Sequence, residues 1–197
     1  MKSFSSFFGS VIVACLLAMG AAQAETSKAV FAGGCFWSMQ KHFDEVPGVV
    51  STRVGFIGGT VANPTYRQVT YTDTGHAEAI EITYDPAKVS YATLLDSFWH
   101  YIDPTAVNGQ FCDWGKSYRT GIFYLDADQK RLADESKLAL EKSGRFDKPI
   151  ATEITAATPF YAAENYHQAY YKKNPAHYEA YRVGCGRDRA LAKIWKN

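Results

Sequence analysis

The sequence predicts an α/β (α+β) chain, a two-layer α/β sandwich in which helices pack on a mixed sheet. Three observations predict it. Apolar residues recur at two-residue spacing over 77–84 and at helical spacing at Leu94, Leu95, Phe98 and Trp99. Segments of these two kinds alternate along the chain instead of clustering. About 173 residues, 25 to 197, carry the pattern with no repeat, low-complexity tract or charge block, which is enough for one domain with its own core.

The elements follow in order. Val30-Phe31-Ala32 reads as a short buried strand, and Gly33-Gly34 lets the backbone turn sharply behind it. Phe36, Met39, Gln40 and Phe43 then recur at helical spacing. Residues 49–57 read as a strand ending in Gly55-Phe56-Ile57-Gly58-Gly59. That loop lacks GxGxxG spacing and a P-loop lysine, which argues against a phosphate cradle. Residues 60–75 are polar and loop-like, and the strand over 77–84 stops at Asp85-Pro86. Ser90 is an N-cap for a helix carrying Leu94, Leu95, Phe98 and Trp99. A long loop spans 103–116, a length often tied to function. A strand over 119–125, an amphipathic helix over 126–143 closed by Gly144, and a strand over 150–156 come next. A helix is expected over 163–171, before a C-terminal segment with Cys185 between Gly184 and Gly186. Strand order is not legible at this level.

The first residues bear on location. Lys2 precedes a mainly apolar stretch from Phe7 to Met19, then Ala22-Gln23-Ala24 and Glu25. This is the layout of a secretory signal peptide, residues 1–24, cleaved after Ala24. The stretch is too short and too broken by Gly9 and Ser10 for a good membrane span. A lipoprotein signal using Cys15 is the alternative, but the apolar run continues through Leu16 and Leu17. The expected product is exported, periplasmic, soluble and monomeric. A net charge of +1 gives no footprint for nucleic acid or a membrane surface.

The mature part keeps Cys35, Cys112 and Cys185. An odd number leaves at least one thiol free or exchanging, and no CxxC supports a thioredoxin motif or a zinc ribbon. Cys35 falls in the first turn of a helix, where the partial positive charge favours the reactive thiolate. A lone cysteine in a strand–helix turn is more often a small core hydrophobe. Glu78 shares a strand face with Ile80, Ile82 and Tyr84, at the start of a buried face. Burial would raise its pKa and let it deliver a proton near neutral pH. A strand-end glutamate paired with an arginine is the plainer reading. His76-Ala77-Glu78 matches half of the zinc deaminase signature, but P-C-x-x-C is absent and His42, His100, His167 and His177 are scattered. No metal and no bound cofactor are expected.

Together these residues resemble a family. Gly34-Cys35-Phe36-Trp37, the Gly55 to Gly59 loop, Asn63-Pro64-Thr65-Tyr66, Gly75-His76-Ala77-Glu78, Tyr84-Asp85-Pro86, Phe98-Trp99, Asp103-Pro104-Thr105, and Asp113 with Tyr118-Arg119 follow in the order seen in peptide methionine sulfoxide reductase A. The resemblance covers nearly all of the chain from Ala29 to Cys185. It implies a ferredoxin-like sheet and reduction of the S epimer of methionine sulfoxide, free or in proteins, as repair of oxidative damage. A thioredoxin-like dithiol would be the electron donor. By motif matching, Cys35 is the nucleophile and Glu78 the proton donor. Tyr66, Asp113 and Tyr118 complete the sulfoxide site, and Phe36 and Trp37 seat the methyl group. The resemblance favours Cys185 as the thiol that resolves a Cys35 sulfenic acid, flanking glycines suiting a tail that swings. Cys112, beside Asp113, is the rival. Gln40 stands where many relatives carry an acidic residue, and Ser38 is a variable position.

Two other classes share features with this reading. A thiol peroxidase or general disulfide exchanger would also use an activated cysteine, but peroxide needs no methyl seat. A non-catalytic binding protein would tolerate loss of Cys35.

Overall fold

The computed structural model describes residues 25–196. The expected signal peptide 1–24, with Cys15, lies outside the described residues. The first half of the chain forms β1 (Ser27–Gly33), α1 (Phe36–Asp44), β2 (Val49–Ile57), α2 (Tyr66–Tyr71), β3 (Ala77–Tyr84) and α3 (Tyr91–Trp99). A small hairpin of β4 (Gly109–Gln110) and β5 (Asp113–Trp114) leads through a 3-10 turn, Lys116–Tyr118, to β6 (Thr120–Tyr124). Then come α4 (Ala127–Lys142), β7 (Glu153–Ala156), β8 (Tyr161–Ala162), α5 (Tyr170–Lys173), α6 (Pro175–Cys185) and α7 (Arg187–Ile194).

The main sheet has the order β7-β6-β1-β3-β2-β8. Its four central strands, β6-β1-β3-β2, are antiparallel throughout and are joined as β1-α1-β2-β3-α3-β6. This is the ferredoxin-like split βαβ arrangement. Strand β7 pairs in parallel with β6, so the sheet is mixed, as expected. The larger core lies between the sheet and the helices, with Phe31 of β1 stacked on Phe98 of α3 at 4.9 Å. Ile80, Ile82 and Tyr84 belong to that core, while Ala77 and Ala79 join a smaller one on the other face, against Ala157 and Phe160. Glu78 thus sits at the end of the helix-side face, where alternation along β3 places it.

Local signals set several boundaries. The Ser90 hydroxyl accepts the Thr93 N–H at 3.1 Å and starts α3 where expected. Asp126 caps α4 by accepting the Gln129 N–H at 2.8 Å. Helix α2 falls inside the stretch read as loop. Six residues are too few to show apolar periodicity, and the signal for it is the capping box formed by Thr65 and Gln68. The long loop likewise contains the β4–β5 hairpin. Its Gln110 side chain folds back, accepting the Asp103 N–H at 2.9 Å and donating to the Asp103 carbonyl at 2.8 Å.

The expected helix over 163–171 does not form. Gln168 binds the edge of β2, accepting the Val54 N–H at 3.0 Å and donating to the Val54 carbonyl at 2.8 Å. Ala169 is left-handed, with φ of 50°, so helical structure begins only at Tyr170. The C-terminal segment is helical rather than an irregular tail. Cys185 ends α6, Gly186 takes the left-handed joint at φ of 71°, and α7 follows directly. Among the described residues, no helix is long and apolar enough to cross a membrane.

Candidate active site

Cys35 is the N-cap of α1, its carbonyl accepting the Ser38 and Met39 N–H groups at 3.2 and 3.3 Å. The turn that delivers it depends on Gly34, at φ of 79°. A Cβ there would stand 2.5 Å from Gln110 and 3.2 Å from the Arg187 guanidinium. The thiol is free and buried. Burial, helped by the Glu78 and Asp113 carboxyls, pushes its pKa up to about 12. The expectation of a resting thiolate from the helix N-terminus is therefore corrected. Desolvation of a fully buried sulfur outweighs the helix dipole.

Glu78 is 1% exposed and its carboxyl accepts the backbone N–H of Phe36 at 3.0 Å. Burial pushes its pKa up to about 8, which the Phe36 hydrogen bond offsets only in part. The carboxyl is protonated at neutral pH, and among the described residues no arginine pairs with it. The plainer reading of Glu78 therefore fails.

The remaining motif residues gather here from separate elements. Tyr66 opens α2 and Tyr118 closes the 3-10 turn; their hydroxyls interact with each other and with Glu78. Asp113, on β5, accepts the Tyr181 hydroxyl proton at 2.5 Å. Burial raises the Asp113 pKa, against the lowering influence of Tyr181 and Arg187. Phe36 is buried against Phe56 and Tyr66 at ring distances of 5.9 and 6.1 Å. Trp37 is half-buried, stacked on Tyr170 at 3.9 Å. Phe36, Trp37, Tyr66, Glu78, Asp113 and Tyr118 thus all lie around Cys35.

Three participants escaped the sequence reading. Tyr181 donates to Asp113 and interacts with the Cys35 thiol, so it ties the acid to the sulfur. His167 accepts the Trp37 indole N–H at 3.0 Å and packs 4.2 Å from the Tyr66 ring. Burial pushes its pKa down to about 4, so it is neutral, and its Nε2 has no partner among the described residues. Arg187 is 1% exposed and donates to the Gly33 and Tyr101 carbonyls at 2.9 and 3.1 Å, between the Tyr101 and Phe111 rings. Cation–π contacts and carbonyls stand in for a counter-ion. A lone histidine or arginine carries no pattern, and Tyr181 is one of 13 tyrosines, so none announced itself.

The other two cysteines meet each other. Cys112 and Cys185 form a disulfide, with Cα atoms 5.0 Å apart and 73 residues between them in sequence. The sequence reading had set them as rivals for Cys35; they are partners, and Cys35 is the thiol left over. Cys112 is exposed and Cys185 half-buried, so the bond reaches the surface beside Asp113. Cys112, Asp113 and Cys185 are also, among the described residues, a group that could approach a metal. Two of those ligand atoms are the bonded sulfurs, which as a disulfide are not thiolate ligands.

The arrangement offers a thiol, a neutral acid and two tyrosine hydroxyls around one point beside an apolar wall. Comparison with known proteins agrees with this chemistry. The family model described as peptide methionine sulfoxide reductase matches residues 27–197. The peptide methionine sulfoxide reductase MsrA of Bacillus pumilus is 53% identical over 169 residues, covering 86% of this chain and 95% of its own. That of Listeria monocytogenes serotype 4a is 53% identical over 169 residues, covering 86% and 96%. Among solved structures, methionine sulfoxide reductase A of Corynebacterium diphtheriae superposes with a TM-score of 0.70 at 34% identity, covering 82% of this chain and 81% of its own. Reduced Mxr1 of Saccharomyces cerevisiae gives 0.70 at 34% identity, covering 78% and 88%. With the site, the fold and these matches in agreement, the chain belongs to the peptide methionine sulfoxide reductase family.

Proposed function

We propose that Cys35 reduces the S epimer of methionine sulfoxide, with Glu78 as the proton donor. The observation that carries this reading is the buried Glu78 carboxyl, neutral at pH 7 and fixed by the Phe36 N–H beside the free thiol of Cys35. A sulfoxide holds a partly negative oxygen on a partly positive sulfur. Attack on that sulfur succeeds only if the oxygen takes up a proton. Glu78 gives its proton to the oxygen, and the Cys35 S–H proton passes to the carboxylate so formed. The Cys35 sulfur bonds to the substrate sulfur; the hydroxyl then moves to Cys35 as methionine leaves. The sulfoxide is thereby reduced to methionine and Cys35 oxidised to a sulfenic acid, with protons balanced. The Tyr66 and Tyr118 hydroxyls donate to the oxygen as charge builds on it. Phe36 and Trp37 form the apolar seat for the methyl and so choose the epimer.

Resolution follows from the pairing of the other thiols. The Cys185 thiol attacks the sulfenic acid, giving a Cys35–Cys185 disulfide and water. Cys112 then displaces Cys35, restoring its thiol and leaving the Cys112–Cys185 bond. A thioredoxin-like dithiol reduces that bond and is itself oxidised. The signal-like residues 1–24 support export of a single domain, 25–197, to a periplasmic compartment. N-terminal sequencing of the protein from cells should begin at Glu25.

The test is turnover of separated S and R epimers of a methionine sulfoxide peptide with dithiothreitol, following methionine by chromatography. Reduction of the S epimer alone, abolished by Cys35→Ser, supports the reading. Peroxide turnover faster than sulfoxide turnover moves the protein to the thiol peroxidase class.

A further inference from the structure

Arg187 carries a full positive charge behind the catalytic turn, and the docking of α7 alone does not require one. Its side chain is 1% exposed. The acid next to it in sequence, Asp188, is taken by Arg182 through two hydrogen bonds of 2.8 Å. Among the described residues, no carboxylate stands within ion-pair distance of Arg187, whose bonds go to backbone carbonyls. A buried charge without an ion partner is costly, and a neutral side chain of similar length would fill the space without that cost.

The guanidinium is fixed from several sides. Nη2 donates to the Gly33 carbonyl at 2.9 Å and Nη1 to the Tyr101 carbonyl at 3.1 Å. The Tyr101 and Phe111 rings lie 4.9 and 4.6 Å from it. Gly33 comes shortly before Cys35 in sequence, and a Cβ on Gly34 would meet Nη2 at 3.2 Å. The charge thus lies against the backbone that presents the sulfur. The Cys112–Cys185 bond joins the same two segments, the hairpin turn of Phe111 and the joint before Arg187. With water excluded, a charge so placed acts through a low dielectric and reaches further than at the surface.

Titratable and charged groups face the Cys35 sulfur from each element around it. Glu78 on β3 and Asp113 on β5 push its pKa up, while Tyr181 on α6 and Arg187 on α7 pull it down. Tyr66 on α2 also couples to the sulfur. Of these groups only Arg187 is a cation, and the Tyr181 hydroxyl is shared with Asp113. We propose that Arg187 is the charge that makes Cys35 a competent nucleophile, steadying the negative charge that builds on the sulfur as its proton leaves for Glu78. Arg187 acts through its field across the Gly33–Gly34 turn, and so is a positioning residue. The inference rests on Cys35 as the attacking thiol and adds no step to the reaction.

Two variants separate charge from fit. Arg187→Gln keeps an amide donor and loses the charge, whereas Arg187→Lys keeps the charge and loses the planar fork. Iodoacetamide labelling of Cys35 is measured at about pH 9, where the small thiolate fraction sets the rate. The disulfide-bonded enzyme is used, and the Cys35 peptide is read by mass spectrometry. Labelling should slow about tenfold in Arg187→Gln, the effect of one unit of thiol pKa. It should stay within about threefold in Arg187→Lys. The single-turnover rate of methionine release from a saturating S-sulfoxide peptide should fall about tenfold in Arg187→Gln, with half-saturation kept. Near-equal losses in the two variants reduce Arg187 to its carbonyl bonds and overturn the proposal, as does unchanged or faster labelling in Arg187→Gln. If neither variant folds, Phe111→Leu decides, because it opens the guanidinium to water. Slower labelling there supports the proposal, and unchanged or faster labelling overturns it. Labelling needs no sulfoxide. If the unmodified enzyme reduces neither epimer, the reductase reading fails while the labelling series still judges Arg187.

Discussion

The Glu78 carboxyl accepts the backbone N–H of Phe36, 42 residues away, at 3.0 Å. One bond locks the acid on β3 to the first turn of the helix that Cys35 caps. It also sets the acid's strength, since burial raises the pKa and this hydrogen bond restrains the rise to about 8. As the acid must be protonated, kcat/KM for the sulfoxide should hold through neutral pH and fall as pH rises through about 8. Glu78→Gln keeps an acceptor for Phe36 and removes the proton, so kcat should drop about 10²–10⁴-fold in a folded protein. A flat pH profile between 6 and 9 (on the order of three units) would exclude this role.

Glu78 should also cost stability where it ionises on unfolding. The native state keeps the proton until about 8, whereas the unfolded chain releases it near the ordinary carboxyl value of 4.5. Between those values the native state binds more protons, so stability falls as pH rises. The Tm advantage of Glu78→Gln over the unmodified enzyme should therefore grow from acid conditions to alkaline ones and level off above the native pKa. A constant difference across that window would show that Glu78 does not titrate on unfolding.

Cys35 should be slow to alkylate in the resting enzyme, because burial pushes its thiol up to about 12. In a Cys112→Ser, Cys185→Ser background, its iodoacetamide rate should still be climbing at alkaline pH. A plateau below neutrality would instead mean a resting thiolate.

The cysteine pair predicts separable intermediates. Cys185→Ser should release one methionine per enzyme and leave Cys35 as a sulfenic acid that dimedone traps. Cys112→Ser should also complete one turnover but accumulate a Cys35–Cys185 disulfide, visible by mass spectrometry. Direct bonding of Cys35 to Cys112 in the Cys185→Ser protein would reverse the order of the two thiols.

Tyr118→Phe tests the oxygen-holding pair. Its hydroxyl interacts with Tyr66 and Glu78. Its loss should lower kcat about 10²–10³-fold, as for one oxyanion donor, with Tm nearly unchanged.

Much of the fold was legible because strongly patterned segments report their own structure. Strand β3 and helix α3 run over the spans their periodicity indicates, and Ser90 and Asp126 cap as their residue types suggest. The misreadings fell where local pattern was weak or overridden. Residues 163–169 have helix-compatible composition, but Gln168 satisfies the open edge of β2, and Gln40 accepts the Ala169 N–H at 2.7 Å. Those are contacts across 114 and 129 residues, which no window of sequence displays. The role of Gln40, at a position that departs from the family pattern, is now structural: it fastens the His167 segment to α1. The residues that motifs named come together around Cys35, whereas Tyr181 and Arg187 reach the site through tertiary packing of α6 and α7. The protonated state of Cys35 was misjudged because burial depth, unlike helix position, is not written locally.

The Arg187 guanidinium beneath Gly34 ties the two ends of the domain together in time as well as in space. Its bond to the Gly33 carbonyl spans 154 residues, so the catalytic turn cannot be finished until α7 has docked. Contacts this distant in sequence close late, after the loop entropy between them has been overcome. A chain emerging from the ribosome would hold its β1 and α1 without a completed cysteine site. Reactive chemistry would switch on only once the whole domain is assembled.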